Sequence, residues 1–124
     1  MPPIFDISKR TINEKEVSII KACESNGGYP DLDFENTVQL RELFSGLLKE
    51  NKVNIILSME NISLMSSYTV GVFSAFHRNF RDKNGSLVFC HLEDRPQRTF
   101  QATRIDQILN VYPTLEDALQ HFQD

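Results

Sequence analysis

The chain has 124 residues, of which 40% are hydrophobic and 24% charged, the size and composition of one ordinary soluble domain. Its formal net charge of −4 offers no basic face to nucleic-acid phosphates or to an anionic membrane, so neither partner is expected. No apolar run reaches the roughly 18 residues of a membrane span, and the first ten residues show no secretory signal, so we expect a cytoplasmic protein without membrane insertion.

The first elements predict a strand hairpin. Residues 4–10 alternate apolar and polar side chains like an edge strand, residues 13–16 form a charged turn, and residues 17–23 read as the second strand. The loop over residues 24–33 contains Gly27, Gly28 and Pro30 and ends at Asp33, which we expect to cap a helix. Apolar side chains then recur at helical spacing as far as Lys49.

Strands and helices alternate over the rest of the chain. An apolar strand over residues 53–59 precedes a second helix that closes at Asn84 or Gly85, and another apolar strand covers residues 86–92. A short helix that starts near Asp94 is expected within residues 93–109, then a strand at 110–112 and a last helix capped by Thr114. The pattern predicts an α/β fold with a small mixed, mostly parallel sheet that begins with a hairpin, in one domain over residues 1–124.

Two adjacent serines stand where the second helix begins, in the stretch "LMSSYTVG" over residues 64–71. This stretch resembles the I-D-S-S-G-L-G motif of STAS domains, the fold of bacterial anti-sigma factor antagonists and of the cytoplasmic domains of sulfate transporters. Three more segments are similar to that family in order and spacing: "FENTVQLRELFSGLL", "DKNGSLVFCHL" and "FQATRIDQILNVYPTLEDAL". The resemblance spans nearly the whole chain and implies a STAS-like (SpoIIAA-like) fold.

The sequence departs from the family inside the motif. Ser66 replaces the aspartate, Tyr68 the second serine and Thr69 the first glycine, while Ser67 falls on the phosphorylated serine. The resemblance therefore implies that Ser67 is the phosphoacceptor, with Ser66 as the alternative if the turn is shifted by one residue. Tyr68 and Thr69 are expected to shape the turn or to line the partner surface together with the two serines.

The acidic run before the first helix is a further candidate for partner contact. Asp31 and Asp33 are ordinarily read as a solvated helix start, but they lie near the expected binding edge and could meet a basic partner.

The resemblance implies a non-enzymatic, cytoplasmic signalling protein that regulates transcription in bacteria by partner switching. Its partner would be an anti-sigma factor that is also a serine kinase of the histidine-kinase-like ATPase type, and a phosphatase would reset the phosphoserine. ATP and magnesium would belong to the kinase, so no cofactor is expected in this chain, which would be a monomer or a weak homodimer. The alternative is a phosphorylation-independent adaptor or scaffold subunit, for example of a lipid-transport ATPase or a stress-signalling complex.

Enzymatic and metal-binding functions have little support in the sequence. No G-x-S-x-G motif is present, and His77 lies ten residues after Ser67, about 15 Å along a helix, too far to serve as its base. His91 and His121 could approach only through tertiary contacts. The three histidines and two cysteines lack metal-ligand spacing, and Cys23 and Cys90 favour two buried free thiols over a disulfide.

Overall fold

The computed structural model describes residues 4–25 and 27–123. Asn26 of the predicted loop, and the terminal residues of the predicted domain at 1–3 and 124, lie outside the described residues. The strands are β1 (Phe5–Ile12), β2 (Lys15–Ala22), β3 (Asn54–Ser58), β4 (Ser86–Cys90) and β5 (Asn110–Tyr112). The helices are α1 (Phe34–Lys49), α2 (Ser67–Asp82), α3 (Asp94–Ala102) and α4 (Leu115–Gln120), with a 3₁₀ turn at Ile105–Gln107.

The five strands form one sheet in the order β1-β2-β3-β4-β5. β1 and β2 pair antiparallel around a two-residue turn, and β2, β3, β4 and β5 run parallel to one another. Because β2, β3, β4 and β5 follow one another in one direction across the sheet, crossovers of one hand place α1, α2 and α3 on the same face. The predicted mixed, mostly parallel α/β fold that begins with a hairpin is confirmed.

The two faces of the sheet bury separate apolar clusters. On the face of the three long helices, Phe44 of α1 and Phe73 of α2 pack with Leu57 and Phe89 of the central strands. On the other face, the short helix α4 and the residues after it cover the alternate residues of the strands. The strand and helix side chains together form this cluster: Val17, Ile19, Ile56, Val88, Cys90, Ala118, Leu119 and Phe122. The central strands read as continuous apolar runs because both of their faces are covered.

Local signals place the helix ends. The carboxylate of Asp33 accepts a hydrogen bond from the backbone N–H of Asn36 at 2.8 Å and so caps α1, as predicted. Thr114 caps α4 in the same way through the N–H of Asp117. Asn84, with φ of 64°, supplies the left-handed residue after α2.

The third helix is short and begins at Asp94, as predicted. It ends at Ala102, because the chain leaves the helical conformation at Arg104, which takes a left-handed φ of 59°. The break turns the chain so that Ile105 and Leu109 enter the core, which a continuous helix would not achieve.

Candidate functional site

The serine pair lies at the start of α2, at the carboxyl edge of the parallel strands. Ser66 is the N-cap: its backbone is extended, and its hydroxyl oxygen accepts from the N–H of Thr69 at 3.3 Å. Ser67 is the first residue of the helix, and its side chain is exposed. One serine therefore caps the helix and the other faces solvent.

The Thr69 hydroxyl joins the start of α2 to the start of α1. Thr69 is fully buried, and its Oγ1 donates to the carbonyl of Leu32 at 3.0 Å. The same oxygen lies 2.7 Å from Oγ1 of Thr37 in α1 and 2.9 Å from Oγ of Ser66. Thr37 is also buried and contacts the Asp33 carbonyl at 2.6 Å, so this small network fixes both helix starts relative to each other.

The hydrogen-bond partners separate the two serines. The Ser66 hydroxyl accepts from the N–H of Thr69 and lies 2.9 Å from the Thr69 hydroxyl, so it belongs to the network that joins the two helix starts. Among residues 4–25 and 27–123, no partner lies within hydrogen-bonding distance of the Ser67 hydroxyl, which leaves it available to another molecule.

A backbone clamp brings the loop before α1 against the loop before α2. The N–H of Leu32 donates to the carbonyl of Leu64, and the N–H of Ser66 donates to the carbonyl of Leu32, each at 2.8 Å. Leu32 is fully buried and bridges Met65 in parallel register. The residues on either side of Leu32, Asp31 and Asp33, are consequently held beside the serine pair with both side chains exposed.

Tyr68 connects the two helix starts at the surface. Its ring lies 4.8 Å from the ring of Phe34, centroid to centroid, and its hydroxyl accepts from Nη1 of Arg41 at 2.9 Å. Phe34 is 61% exposed although it is a large aromatic residue in the first turn of α1. An apolar groove continues from Tyr68 between α1 and α2. It is lined by Arg41, Tyr68, Gly71, Val72, Ala75 and Phe76.

Five residues are therefore exposed or half-buried at one place, which we call the helix mouth: Asp31, Asp33, Phe34, Ser67 and Tyr68. Four of these were singled out in the sequence, whereas Phe34 and its neighbour Arg41 were missed. A signal for Phe34 was present, since an apolar residue directly after an acidic N-cap has no turn of its own helix to pack against.

Thr69 corrects one expectation. It was expected to shape the turn or to line the partner surface, but its side chain is 0% exposed. It shapes the turn, and it can affect a partner only by positioning Ser66 and the Leu32 clamp.

The three histidines lie elsewhere in the fold. Nδ1 of His77 is buried, and burial followed by the nearby Arg81 charge lowers the pKa of this ring. Nε2 of His91 accepts from the backbone N–H of Leu115 at 3.3 Å. The ring of His121 lies between the hydroxyls of Tyr112 and Ser86, at 2.8 and 3.2 Å, and so ties the end of α4 to the sheet.

The thiols differ from each other. Both cysteines are free, with Cys90 buried and Cys23 half-buried. Burial raises the pKa of the Cys90 thiol to about 11, and the Ser58 hydrogen bond acts in the opposite direction. Cys90 is consequently a neutral core side chain rather than a nucleophile at physiological pH.

The described residues form neither a metal-binding cluster nor a membrane-spanning helix. Within residues 4–25 and 27–123, no three His, Cys, Asp or Glu side chains come together in a way that could hold a metal ion. None of the helices in that part of the chain combines the length and apolar character needed to cross a bilayer.

Comparisons with known proteins agree with this fold. The STAS domain family model matches residues 30–118. A protein from Thermotoga neapolitana is described as the homologue of a candidate anti-sigma factor antagonist. It is 22% identical to this chain over 75% of this chain and 83% of its own length. The chain therefore belongs to the STAS domain family.

Solved structures show the same fold. A candidate anti-sigma factor antagonist from Thermotoga maritima is 15% identical, covers 95% of both chains and superimposes with a TM-score of 0.75. The Bacillus cell fate determinant SpoIIAA in its phosphorylated form is 19% identical, covers 94% of this chain and 97% of its own, and has a TM-score of 0.67. At these identities the structures establish the SpoIIAA-like fold of the chain and no more than that.

Proposed function

We propose that this chain is an anti-sigma factor antagonist-like signalling protein whose helix mouth binds a protein partner and whose affinity is controlled by phosphorylation of Ser67. The observation that carries the proposal is the exposed Ser67 hydroxyl at the first position of α2, which has no hydrogen-bond partner among the described residues. It lies beside the ring pair of exposed Phe34 and half-buried Tyr68 and beside two exposed carboxylates. The protein acts in the cytoplasm, as one domain and without catalysis of its own. Its two free thiols fit a reducing compartment.

A phosphate on Ser67 would change binding without changing the fold. The first turn of a helix presents free N–H groups and the positive end of the helix dipole, so a phosphate is tolerated there within the chain. Phosphorylation adds roughly 1.5 to 2 negative charges and three strong acceptors. A partner that packs on the helix mouth must desolvate or repel that charge, which weakens the complex.

The other residues of the helix mouth indicate the chemistry of the partner. Phe34 and Tyr68 offer a rigid aromatic surface of the kind that dominates protein–protein binding energy. Asp31 and Asp33 favour a partner with basic groups at the rim of its contact surface. From the relationship to anti-sigma factor antagonists, we propose that this partner is an anti-sigma factor that is a serine kinase of the histidine-kinase-like ATPase type.

The remaining parts of the cycle follow from the same proposal. The kinase supplies ATP and magnesium, transfers phosphate to Ser67 and releases the chain, and a phosphatase restores the serine. The cycle controls transcription in a bacterial cell by sequestering or releasing a sigma factor. The relatives support the proposal because several are described as anti-sigma factor antagonists, and SpoIIAA was solved both phosphorylated and unphosphorylated.

A second candidate function is a phosphorylation-independent adaptor or scaffold subunit. It is favoured by one observation: the first turn of α2 contains no acidic residue, and Ser66 stands where the family has aspartate. In that case the helix mouth would bind its partner constantly.

Affinity purification from the native host distinguishes the two candidates. Tagged wild type, Ser67→Ala, Ser67→Asp and the surface control Gln101→Glu would be compared by mass spectrometry of co-purified proteins, and the affinity of the captured kinase would be measured. We expect Ser67→Ala and Gln101→Glu to retain the kinase, and Ser67→Asp to bind it at least about tenfold more weakly. Equal retention by Ser67→Asp would instead support the adaptor.

A further inference from the structure

The edge strand β1 is exposed along most of its length. It spans Phe5–Ile12, lies at the end of the sheet and pairs only with β2 among the described residues. All residues from Asp6 to Thr11 are exposed, so neither face of β1 is covered by a helix over that range. An eight-residue strand with one unpaired edge and two open faces is able to accept another strand.

The hairpin register shows which backbone groups point outward. The Cys23 N–H donates to the Ile4 carbonyl at 2.8 Å, and Ile12 pairs with Lys15 across the two-residue turn. The even-numbered residues of β1 therefore bond to β2, because bonded and non-bonded pairs alternate in an antiparallel ladder. The odd-numbered residues Phe5, Ile7, Lys9 and Thr11 direct their N–H and C=O groups to the open edge.

The sequence of β1 is complementary to itself in one antiparallel register. We propose that a second copy of this chain pairs with β1 so that Ser8 lies opposite Ser8 on a two-fold axis. Ile7 then bonds to Lys9 of the other copy and Phe5 bonds to Thr11, which uses all the outward-directed groups. Asp6 stands opposite Arg10 of the other copy in a non-bonded pair, where facing side chains are closest.

Neighbouring registers are poorer. A register centred on Lys9 places two Lys9 side chains opposite each other, which is repulsive. A register centred on Ile7 leaves Asp6 opposite Ser8 and Arg10 opposite Ile4, so neither charge has a partner. Asp6 and Arg10 form no ion pair with any described residue of their own chain, although Asp6 lies across from Lys21 in the hairpin. The register centred on Ser8 is therefore the one that matches both backbone and charge.

The resulting dimer has a continuous sheet with the three long helices of both copies on the same face. Because the β1 strands run antiparallel, the two helix mouths lie at opposite ends of the assembly and remain open. The interface consists of about eight backbone hydrogen bonds and a few side-chain pairs, so the dimer is weak and depends on concentration.

Charge exchange tests the register. Sedimentation velocity over a concentration series would compare wild type with Asp6→Arg, Arg10→Asp and the double exchange Asp6→Arg/Arg10→Asp. Each single variant places like charges opposite each other and should weaken association about tenfold or more, whereas the double exchange should restore it. Residues 6 and 10 are about 13 Å apart on one strand, so restoration cannot arise within a monomer. The proposal would be overturned if both single variants associated weakly and the double exchange did not restore association. It would also be overturned if the wild type did not associate at any concentration.

Disulfide trapping tests the axis independently of affinity. In a protein that also carries Cys23→Ser, the change Ser8→Cys places one cysteine of each copy opposite the other. Their Cα atoms would be about 4.5 Å apart, which is within the range of a disulfide bond. Thr11→Cys is the control, since its copies would lie about 20 Å apart. Mild oxidation should convert the Ser8→Cys protein to a covalent dimer much faster than the control. Equal rates for both variants would refute the proposed pairing, and Ser67→Asp should leave either result unchanged because the helix mouth is not involved.

Discussion

Thr69 controls the helix mouth from below the surface. Its hydroxyl contacts Leu32, Thr37 and Ser66, and so determines how the two helices begin next to each other. Ser66 is held by this network while Ser67 remains outside it. The geometry that makes Ser67 available therefore depends on a buried threonine that no partner touches.

Thr69→Val is expected to lower the free energy of unfolding by about 2 kcal/mol. Valine keeps the volume but removes the donor to the buried Leu32 carbonyl and the contacts to two other hydroxyls. Urea denaturation would measure the change, with Thr103→Val as the control, since the exposed Thr103 hydroxyl also bonds to a backbone carbonyl. The control should change stability by less than about 0.5 kcal/mol, and equal effects of the two variants would contradict the role of Thr69.

The buried Cys90 thiol should make the free energy of unfolding depend on pH in the alkaline range. Burial raises the pKa of its thiol from 9.0 to about 11, so the unfolded chain loses this proton at a lower pH than the folded chain. The contribution of the protonated Cys90 thiol to the free energy of unfolding is fully present below pH 9.0 and is lost as the pH rises towards 11. We expect the stability difference between wild type and Cys90→Ala, measured by urea denaturation, to narrow above pH 9.0. A difference that stays constant with pH would show that Cys90 is not the group involved.

Residue roles were predictable from the sequence only where they are local. The caps at Asp33 and Thr114 could be predicted because an N-cap depends on the residue and the next three positions. The burial of Thr69 and the Arg41–Tyr68 hydrogen bond depend on two helices far apart in sequence, and no local pattern encodes such a contact. The capping role of Ser66 and the exposure of Ser67 likewise depend on the three-dimensional arrangement of the two helix starts.

At the scale of the elements, the two glycines at Gly46 and Gly85 have opposite roles. Gly46 lies in α1, and a Cβ added there would meet nothing within 4 Å. Gly85 leads into β4, and a Cβ there would overlap the backbone oxygen of Val53. Gly46 therefore weakens α1, whereas Gly85 is required because the chain before β4 passes close to the chain before β3.

Gly85→Ala should accordingly destabilise the protein by about 2 kcal/mol or more, because the backbone of Val53 cannot move aside freely. Gly46→Ala should stabilise it by up to about 1 kcal/mol through its helix propensity. Thermal unfolding of the two variants beside wild type would measure both shifts. Shifts of the same sign would contradict this account of the two positions.

The boundaries of the elements were largely predictable, with α3 as the exception. The hairpin, the central apolar strands and the long helices follow from periodicity, and each is confirmed. The predicted start of the third helix near Asp94 is confirmed, but its end was not predicted, because the apolar spacing continues through the 3₁₀ turn while Arg104 takes a left-handed φ. Spacing alone does not reveal a left-handed residue that is not glycine.

At the scale of the whole molecule, the parallel order of the strands creates the helix mouth. β2 and β3 end at the same edge of the sheet, so the loops that follow them meet there and the helices α1 and α2 begin side by side. The sequence predicted the parallel sheet and hence this meeting. It did not predict the Leu32 clamp, because an isolated bridge between two loops has no periodic signal.

The strand order also separates two surfaces. The helix mouth lies at the carboxyl edge of the parallel strands, whereas the open edge of β1 runs along the side of the sheet. Binding of a signalling partner at one surface therefore need not compete with pairing of two copies at the other.

Site-mapped intact-mass analysis of the protein purified from its native host tests the central proposal most directly. We predict two species that differ by the mass of one phosphate, with the phosphate on Ser67 and only the unphosphorylated species bound to the kinase. The phosphorylated species should disappear in Ser67→Ala. Phosphate found on another residue, or a kinase complex that contains phosphorylated Ser67, would contradict the switch at the helix mouth.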